Sequence, residues 1–473
     1  MGPTSAAREE AEAAGRRRQG WVLAASSLAL GMTFLDETVV GVALPAIRND
    51  LGMSVALSHW VPNAYILAFA SFAAAGGRFG DLFGTRRMFV LGTLGFAVAS
   101  VVCGLAGSGG ALVAARAFQG AAAAAMLPQT MAIITDTFPP ERLGKAIGTY
   151  VGAASAALAA GPLLGGVLTE YAGWRSVFLL NLLPAVVILV LARTAVGRRP
   201  PRAVSGSFDG AGLVTSVIGL GAVVTALMQS GGQGWPAVVV VALLGGGLAT
   251  LCVFVRIETR RRTPLVDVGL LAERRFLGSA VMVLCAQFSF LSAVVYGAVY
   301  VQDALRLSPM SAGLAMLPAM APTVALAPAT GALARRFGAR ALTVTGAAGG
   351  ALGFALMGVA VGGNSYWPFG GALLLWGVSV PLIFNPAMSV AMSAPPPDRR
   401  AGASGLLETS LQVGGTFGMA VVGATLLHAH PGSAPLPGDA FAPGFRLTAG
   451  VLAAAALTQT YLIASARSGD ANA

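Results

Sequence analysis

The chain has 473 residues, 56% hydrophobic and only 10% charged, with a mean hydropathy of +0.75. A soluble domain carries about 25% charged residues, so this composition excludes an ordinary soluble fold and points to a bundle of membrane helices. The net charge of +11 invites a nucleic-acid reading, which the placement of the charges removes.

A spanning helix needs about 20 mostly apolar residues. In chain order such stretches fall at 21–45, 57–77, 88–107, 110–136, 144–170, 175–194, 209–229, 235–257, 275–302, 309–333, 341–361, 367–392, 402–428 and 445–466, fourteen in all. Residues 1–20 read as a short solvated cytoplasmic tail. The first helix is expected to be retained, because the acids Asp36 and Glu37 break its apolar run and thirteen further stretches follow. Two basic loops, ARTAVGRRPPRAVSGS (192–207) and RIETRRRTPLVDVGLLAERR (256–275), divide the chain. The expected architecture is all-α and 6+2+6. A six-helix lobe at 21–194 is followed by linker loops at 195–274 carrying a two-helix hairpin (209–257). A second six-helix lobe at 275–466 and a cytoplasmic tail at 467–473 complete the chain.

With the N-terminus in the cytoplasm, 25 of the 30 Lys and Arg fall on the inner side. Four (Arg48, Arg175, Arg306 and Arg446) fall outside, and Arg116 lies within a helix. This is the positive-inside pattern and places both termini inside. The basic excess therefore reports topology, and no nucleic-acid partner is expected.

In the first helix, LDETVVGVAL (35–44) sets Asp36 and Glu37 in an apolar span. An ionised acid in the bilayer core is costly, so it faces a cavity, finds a partner or takes up a proton. Each acid therefore serves transport or braces the helix through a buried hydrogen bond. Consecutive helical residues lie about 100° apart, so the two point differently. After the second helix, GRFGDLFGTRR (77–87) offers Gly77, Asp81, Gly84, Arg86 and Arg87 as a gating loop or a plain topology-setting turn. Asp81 is expected to cap the next helix and pair with Arg86 or Arg87. GALARRFGAR (331–340) echoes this loop after the tenth helix: Gly77, Phe79, Gly84 and Arg86 align with Gly331, Leu333, Gly338 and Arg340. Equivalent placement in the two lobes makes an internal repeat the better reading than chance.

In the fourth helix RAFQG (116–120) places Arg116 at about the depth of Asp36, within reach of an Arg–carboxylate contact. Snorkelling to the surface is the alternative. Gln119 and Gln129 are polar candidates for a central cavity. In the fifth helix GAASAALAAGPLLGG (152–166) gives a small-residue face for close helix packing, which Pro162 can bend. Glu408, in the thirteenth, is a second proton or cation site or an acid bonded near the inner interface. Cys103, Cys252 and Cys285 lie in apolar helices and read as small core residues. His59, His428 and His430 lie at outer helix ends and read as interfacial. No cluster has metal-ligand spacing, and no phosphate-binding loop for ATP is present.

These segments together resemble the major facilitator superfamily, in its fourteen-helix drug:proton antiporter branch, the QacA/EmrB-type exporters. LDETVVGVALP resembles that branch's first-helix signature, SHWVPNAYILA the start of its second helix, and GRFGDLFGTRR the superfamily's cytoplasmic loop. RAFQG resembles its fourth-helix motif, GAASAALAAGPLLGG its antiporter motif, and GWRSVFLLNLLPA the opening of its sixth helix. The resemblance runs from about Leu35 through the helix at 402–428 and rests on six motifs in order. It implies two pseudo-symmetric six-helix lobes around a central cavity. It also implies that Asp36 couples proton and drug, that Arg116 assists proton transfer, and that Asp81, Gly84 and Arg86 gate. Gly161, Pro162, Gly165 and Gly166 match the antiport motif. The chain departs from the pattern at Glu37, Gly41, Leu82, Ala157, Glu408 and Leu411.

The expected function is proton-driven export of small lipophilic or cationic compounds from the bacterial inner membrane, by a monomer without cofactor, metal or ATP and without enzymatic activity. Alternatives are a dedicated exporter of one metabolite, such as a self-made antibiotic or an amino acid, and a non-transporting membrane sensor or lipid-handling protein. One Lys against 29 Arg suggests a high-GC bacterial genome.

Overall fold

A computed structural model describes residues 5–197, 209–230, 236–261, 268–363, 365–395, 400–429 and 435–470. At 5–13, 74, 81, 140, 400–402 and 461–470 the description is of backbone only. In chain order the helices are α1 (Ser5–Asp50), α2 (Val55–Phe83), α3 (Thr85–Gly104), α4 (Gly109–Thr137), α5 (Pro140–Ala172) and α6 (Arg175–Thr194). Then come α7 (Gly210–Ser230), α8 (Ala237–Arg260), α9 (Arg274–Asp303) and α10, which is Pro309–Ala315 continuing as Leu317–Phe337. Last are α11 (Ala339–Ala360), α12 (Tyr366–Ser393), α13 (Arg400–Ala429) and α14 (Ala442–Asp470). Among the described residues, thirteen helices are long and apolar enough to cross a membrane, and α2 is 29 residues long. Each apolar stretch read from the sequence falls on a helix to within a few residues, except that α1 and α2 run further. α1 begins at Ser5 because the Ala- and Glu-rich tail is itself a strong helix former. Most of the loop at 192–207 and parts of that at 256–275 lie outside the described residues.

The helix pairings repeat. α1 packs on α5, α2 and α3 on α4, and α3 on α6; likewise α9 packs on α13, α10 and α11 on α12, and α11 on α14. The two echoed loops are alike in detail. Gly84 and Gly338 adopt φ of 92° and 86°, where a side chain is strained, and each N–H closes the helix before it, onto the Gly80 and Ala334 carbonyls. Two residues on, Arg86 donates to the Arg193 carbonyl at the end of α6 at 2.8 Å, and Arg340 donates to the Thr460 carbonyl of α14 at 2.9 Å. The same loop thus ties the third helix of each set to its sixth. The α7–α8 pair packs mainly on itself, with α7 lying against α2 and α13.

The two sets of six meet at the end of the bundle distant from the termini, called here the distal end. Arg48 Nη2 bonds both carboxylate oxygens of Asp303 at 2.9 Å, with both side chains buried. Gln302 donates to the Val42 carbonyl at 2.9 Å, and Glu170 accepts from the Met310 N–H at 2.8 Å. α5 packs on the start of α10, and α2 on α13.

At Gly84 and at Gly338 an added Cβ meets strain of about 1–3 kcal/mol. Gly84→Ala and Gly338→Ala should each lower the thermal unfolding temperature of the detergent-purified protein. Gly144→Ala, with no positive φ and open space around it, should not. Unchanged melting of the first two variants would contradict the backbone geometry assigned to the repeated loop.

Candidate functional site

The first lobe buries a charged network between α1, α2, α3, α4 and α6. Asp36 on α1 is 2% exposed and Arg116 on α4 is 0% exposed. Arg116 Nη1 pairs directly with Asp36 Oδ2 and donates to Gln119 Oε1 at 2.7 Å. Its Nε donates to the Val61 carbonyl of α2 at 3.1 Å, and its guanidinium lies 4.3 Å from the centre of the Tyr65 ring. Asp36 Oδ1 accepts from Gln119 at 3.1 Å and from Asn181 at 2.8 Å. Both amides also donate to Ser100 Oγ on α3, at 2.9 and 3.3 Å.

Local sequence explains this convergence. Arg116 and Gln119 are three apart on one helix and share a face. Asn181 sits where α6 is interrupted between Leu179 and Leu182, because Pro184 cannot donate to the Leu180 carbonyl four residues back. The interruption turns the amide toward Asp36. Every donor around Asp36 suits its charged form. Adding a proton there would leave the Arg116 charge buried without its counter-ion, an arrangement costing several kcal/mol.

Of the residues expected from sequence, Asp36, Arg116 and Gln119 come together directly. Gln129 does not join them: it donates to the Gly76 carbonyl at 2.8 Å and clamps α4 to α2, so it is a packing residue and no cavity group. Glu37 is 3% exposed, and its Oε1 has no hydrogen-bond partner. Glu408, on α13 in the other half, is partly buried. Glu408 accepts from Gln412 at 3.2 Å, and Gln412 Oε1 and Tyr65 Oη are likewise buried and unpartnered. Glu37, next to the saturated carboxylate of Asp36, thus has bonding capacity to spare, as do Tyr65 and, in the other half, Gln412.

The antiporter motif lies beside both. A Cβ at Gly161 would strike Thr38, and one at Gly165 would come within 2.8 Å of the Val39 carbonyl. α5 therefore presses directly on α1 just after the two acids, and Thr38 Oγ1 donates to the Leu158 carbonyl at 3.2 Å. On its other side, Gly166 and Pro162 meet Pro309 and Gly313 of α10, so the motif joins α1 to the opposite half. In the loop, Arg86 bonds α6, Arg87 is exposed and Gly77 lies near Pro128. The expected capping and pairing by Asp81 lie outside the described side chains.

Asn181, Ser100 and Tyr65 join the network without having stood out in the sequence. Asn181 had a signal, an amide inside SVFLLNLLPAVV; Ser100 had none. Two expectations are corrected. Cys252 is exposed on the apolar surface of α8 and is no core residue, because that helix is covered on one side only. His59 is 3% exposed, edge-on to Tyr296 at 5.4 Å in the distal seam, where packing of α2 on the second half covers it. His428 is exposed as expected, and His430 lies outside the described residues.

The profile of the Major Facilitator Superfamily matches residues 26–211 and 204–419. The chain is 32% identical over 428 residues to the tetracenomycin C resistance and export protein of Streptomyces glaucescens, covering 87% of this chain and 77% of that one. It is 31% identical over 415 residues to the multidrug resistance protein Stp of Mycobacterium tuberculosis, covering 87% and 76%. Among solved structures, the POT-family transporter PepTSo superposes with a TM-score of 0.69 at 16% identity, covering 95% and 98%, a likeness of fold.

A double-mutant cycle tests the network. Asp36→Asn or Arg116→Met alone should destabilise the purified protein by about 3–5 kcal/mol, since each leaves a buried charge unpaired. The pair together should cost less than their sum by more than about 2 kcal/mol. Additive losses in chemical denaturation would show that the two side chains do not act as a unit.

Proposed function

The chain belongs to the major facilitator superfamily, and we propose that it is a proton-driven exporter of small amphipathic compounds, giving resistance to drugs or antibiotics. The observation that carries the proton coupling is the saturated Asp36–Arg116 network, whose ion pair fits an ionised acid and would be lost on protonation. In this reading the end of the bundle bearing the termini faces the cytoplasm, as the basic loops imply. The halves are closed at the outer, distal end by Arg48–Asp303 and the α5–α10 contact. The chain would then be loaded from the inside while Asp36 is charged. A proton arriving from outside would break the pair with Arg116 and favour release. Each proton entering contributes about 2.3 kcal/mol per 100 mV, plus about 1.4 kcal/mol per unit of pH difference.

Glu37 and Glu408 place a carboxyl group on each half of the bundle, which supports a cationic substrate. Their unpartnered neighbours Tyr65 Oη and Gln412 Oε1 offer it polar contacts. A narrower reading, export of one self-made compound, draws support from the relative named for tetracenomycin C alone; the multidrug relative supports the broader one. A resistance panel separates them, since breadth across unrelated cations favours the first and protection against one compound the second.

Drug accumulation in a pump-deficient bacterial host tests the coupling. Asp36→Asn should abolish energised efflux while the protein remains in the membrane, and normal efflux by that variant would sink the assignment. In the same assay Glu37→Gln should weaken efflux of cations several-fold and spare neutral compounds. An equal loss for both would instead make Glu37 a brace of α1.

A further inference from the structure

The N-terminal extension of α1 does more than lead into the membrane: it folds under the first lobe and closes a cleft there. Arg18 Nε donates to the Ala195 carbonyl beyond α6 at 2.9 Å, and Gln19 donates to the Thr137 carbonyl at the end of α4 at 3.3 Å. The cleft has a volume of about 240 Å³ and is lined by Arg18, Gln19, Thr85, Arg86, Asp136 and Thr137. By liquid volume this would hold roughly eight waters, room enough for a phosphodiester head group. Each of the two arginines uses one N–H on a backbone carbonyl, which fixes its guanidinium at the wall and leaves further N–H groups for an anion. Asp136 is the one acid in the lining and already has an interaction of its own. Arg17 and Arg87, chain neighbours of Arg18 and Arg86 and both exposed, add positive charge nearby.

The cleft lies at the foot of α3 and α6, which pack on each other. Above it these helices present bare apolar ridges. On α3 Leu91 is 59% exposed and Val98 55%; on α6 Leu183 is 73% exposed, Val186 58% and Val190 56%. A basic cleft beneath a lipid-facing apolar surface matches both ends of one molecule. We propose that this cleft binds the phosphate head group of an anionic phospholipid, with its acyl chains lying along α3 and α6. A free phosphate would use the guanidiniums and leave the ridges without a role. The lipid would lock the α1 extension, the start of α3 and the ends of α4 and α6 into one block. Because Arg86 belongs to the repeated loop, occupancy would also steady the turn between α2 and α3.

Native mass spectrometry of the delipidated full chain tests this, with phosphatidylglycerol, phosphatidylcholine or glycerol phosphate added. Phosphatidylglycerol should bind at least about fivefold more tightly than phosphatidylcholine, the effect of one basic residue near a lipid phosphate. Glycerol phosphate should fail to displace it. Arg18→Gln should reduce phosphatidylglycerol to the level of phosphatidylcholine, and Arg18→Lys should retain the preference. Equal binding of the two lipids, displacement by glycerol phosphate at matched concentration, or an unaltered preference in Arg18→Gln would each overturn the proposal. Should Arg18→Gln fail to fold, raising the ionic strength over the unaltered protein decides the question in its place. A preference that falls with salt supports the site, and one that does not overturns it.

Discussion

A carboxylate and a guanidinium sealed from water inside a membrane helix bundle set the terms for the rest of this molecule. In hydrocarbon neither charge is tolerable alone, so α1 and α4 must deliver Asp36 and Arg116 to the same point. Three further helices must then satisfy what the pair leaves open. α2 supplies a carbonyl, α3 a hydroxyl and α6 an amide. The aromatic face of Tyr65 covers the guanidinium. Five of the six helices of the first lobe are thus fixed relative to one another by one ion pair. A proton on Asp36 alters the condition under which all five fit.

The remaining helix, α5, is held mainly by close packing, with the Thr38–Leu158 and Glu170–Met310 hydrogen bonds beside it. Its glycines let it lie against α1 immediately beyond the acids and against α10 on its other side. This makes α5 the natural route by which a change around Asp36 reaches the second half. α1 gives a second route: twelve residues beyond Asp36, about 18 Å along the helix, it carries Arg48 and the buried pair with Asp303. The same rod holds the charge network and one side of the distal closure.

The helices were legible because hydropathy is a direct record of what faces lipid, and the echo of the two loops announced the repeat. The ion pair was legible because charges in apolar spans are conspicuous. Uncharged partners were not: Ser100 looks like any small helical residue, and Asn181 gains its role only from the break before Pro184. Gln129 misled for the opposite reason, since an amide that clamps two helices has the same signature as one lining a cavity. His59 and Cys252 were misplaced because burial of a helix end, or exposure of a helix face, depends on which neighbour covers it. The chain itself does not carry that information locally.

The two lobes share an architecture but fill it differently. Where the first lobe concentrates charge and amides, the second stacks aromatic rings. Trp376 of α12 is fully buried against Phe290 and Phe354, and Phe354 and Phe369 both meet Phe445. Trp376 reaches Ser289 through its indole N–H at 3.4 Å, so even its polar atom is turned inward. Among the described residues this core carries no ion pair like that of Asp36 and Arg116, and its ring cluster includes the phenol of Tyr300. Under the proposed function, the charge network would make the first lobe the one that responds to a proton. Under the proposed coupling, work begins at Asp36 and passes outward along α1 and α5. Glu408, on α13 of the second half, is where a cationic cargo would meet that half under the same reading.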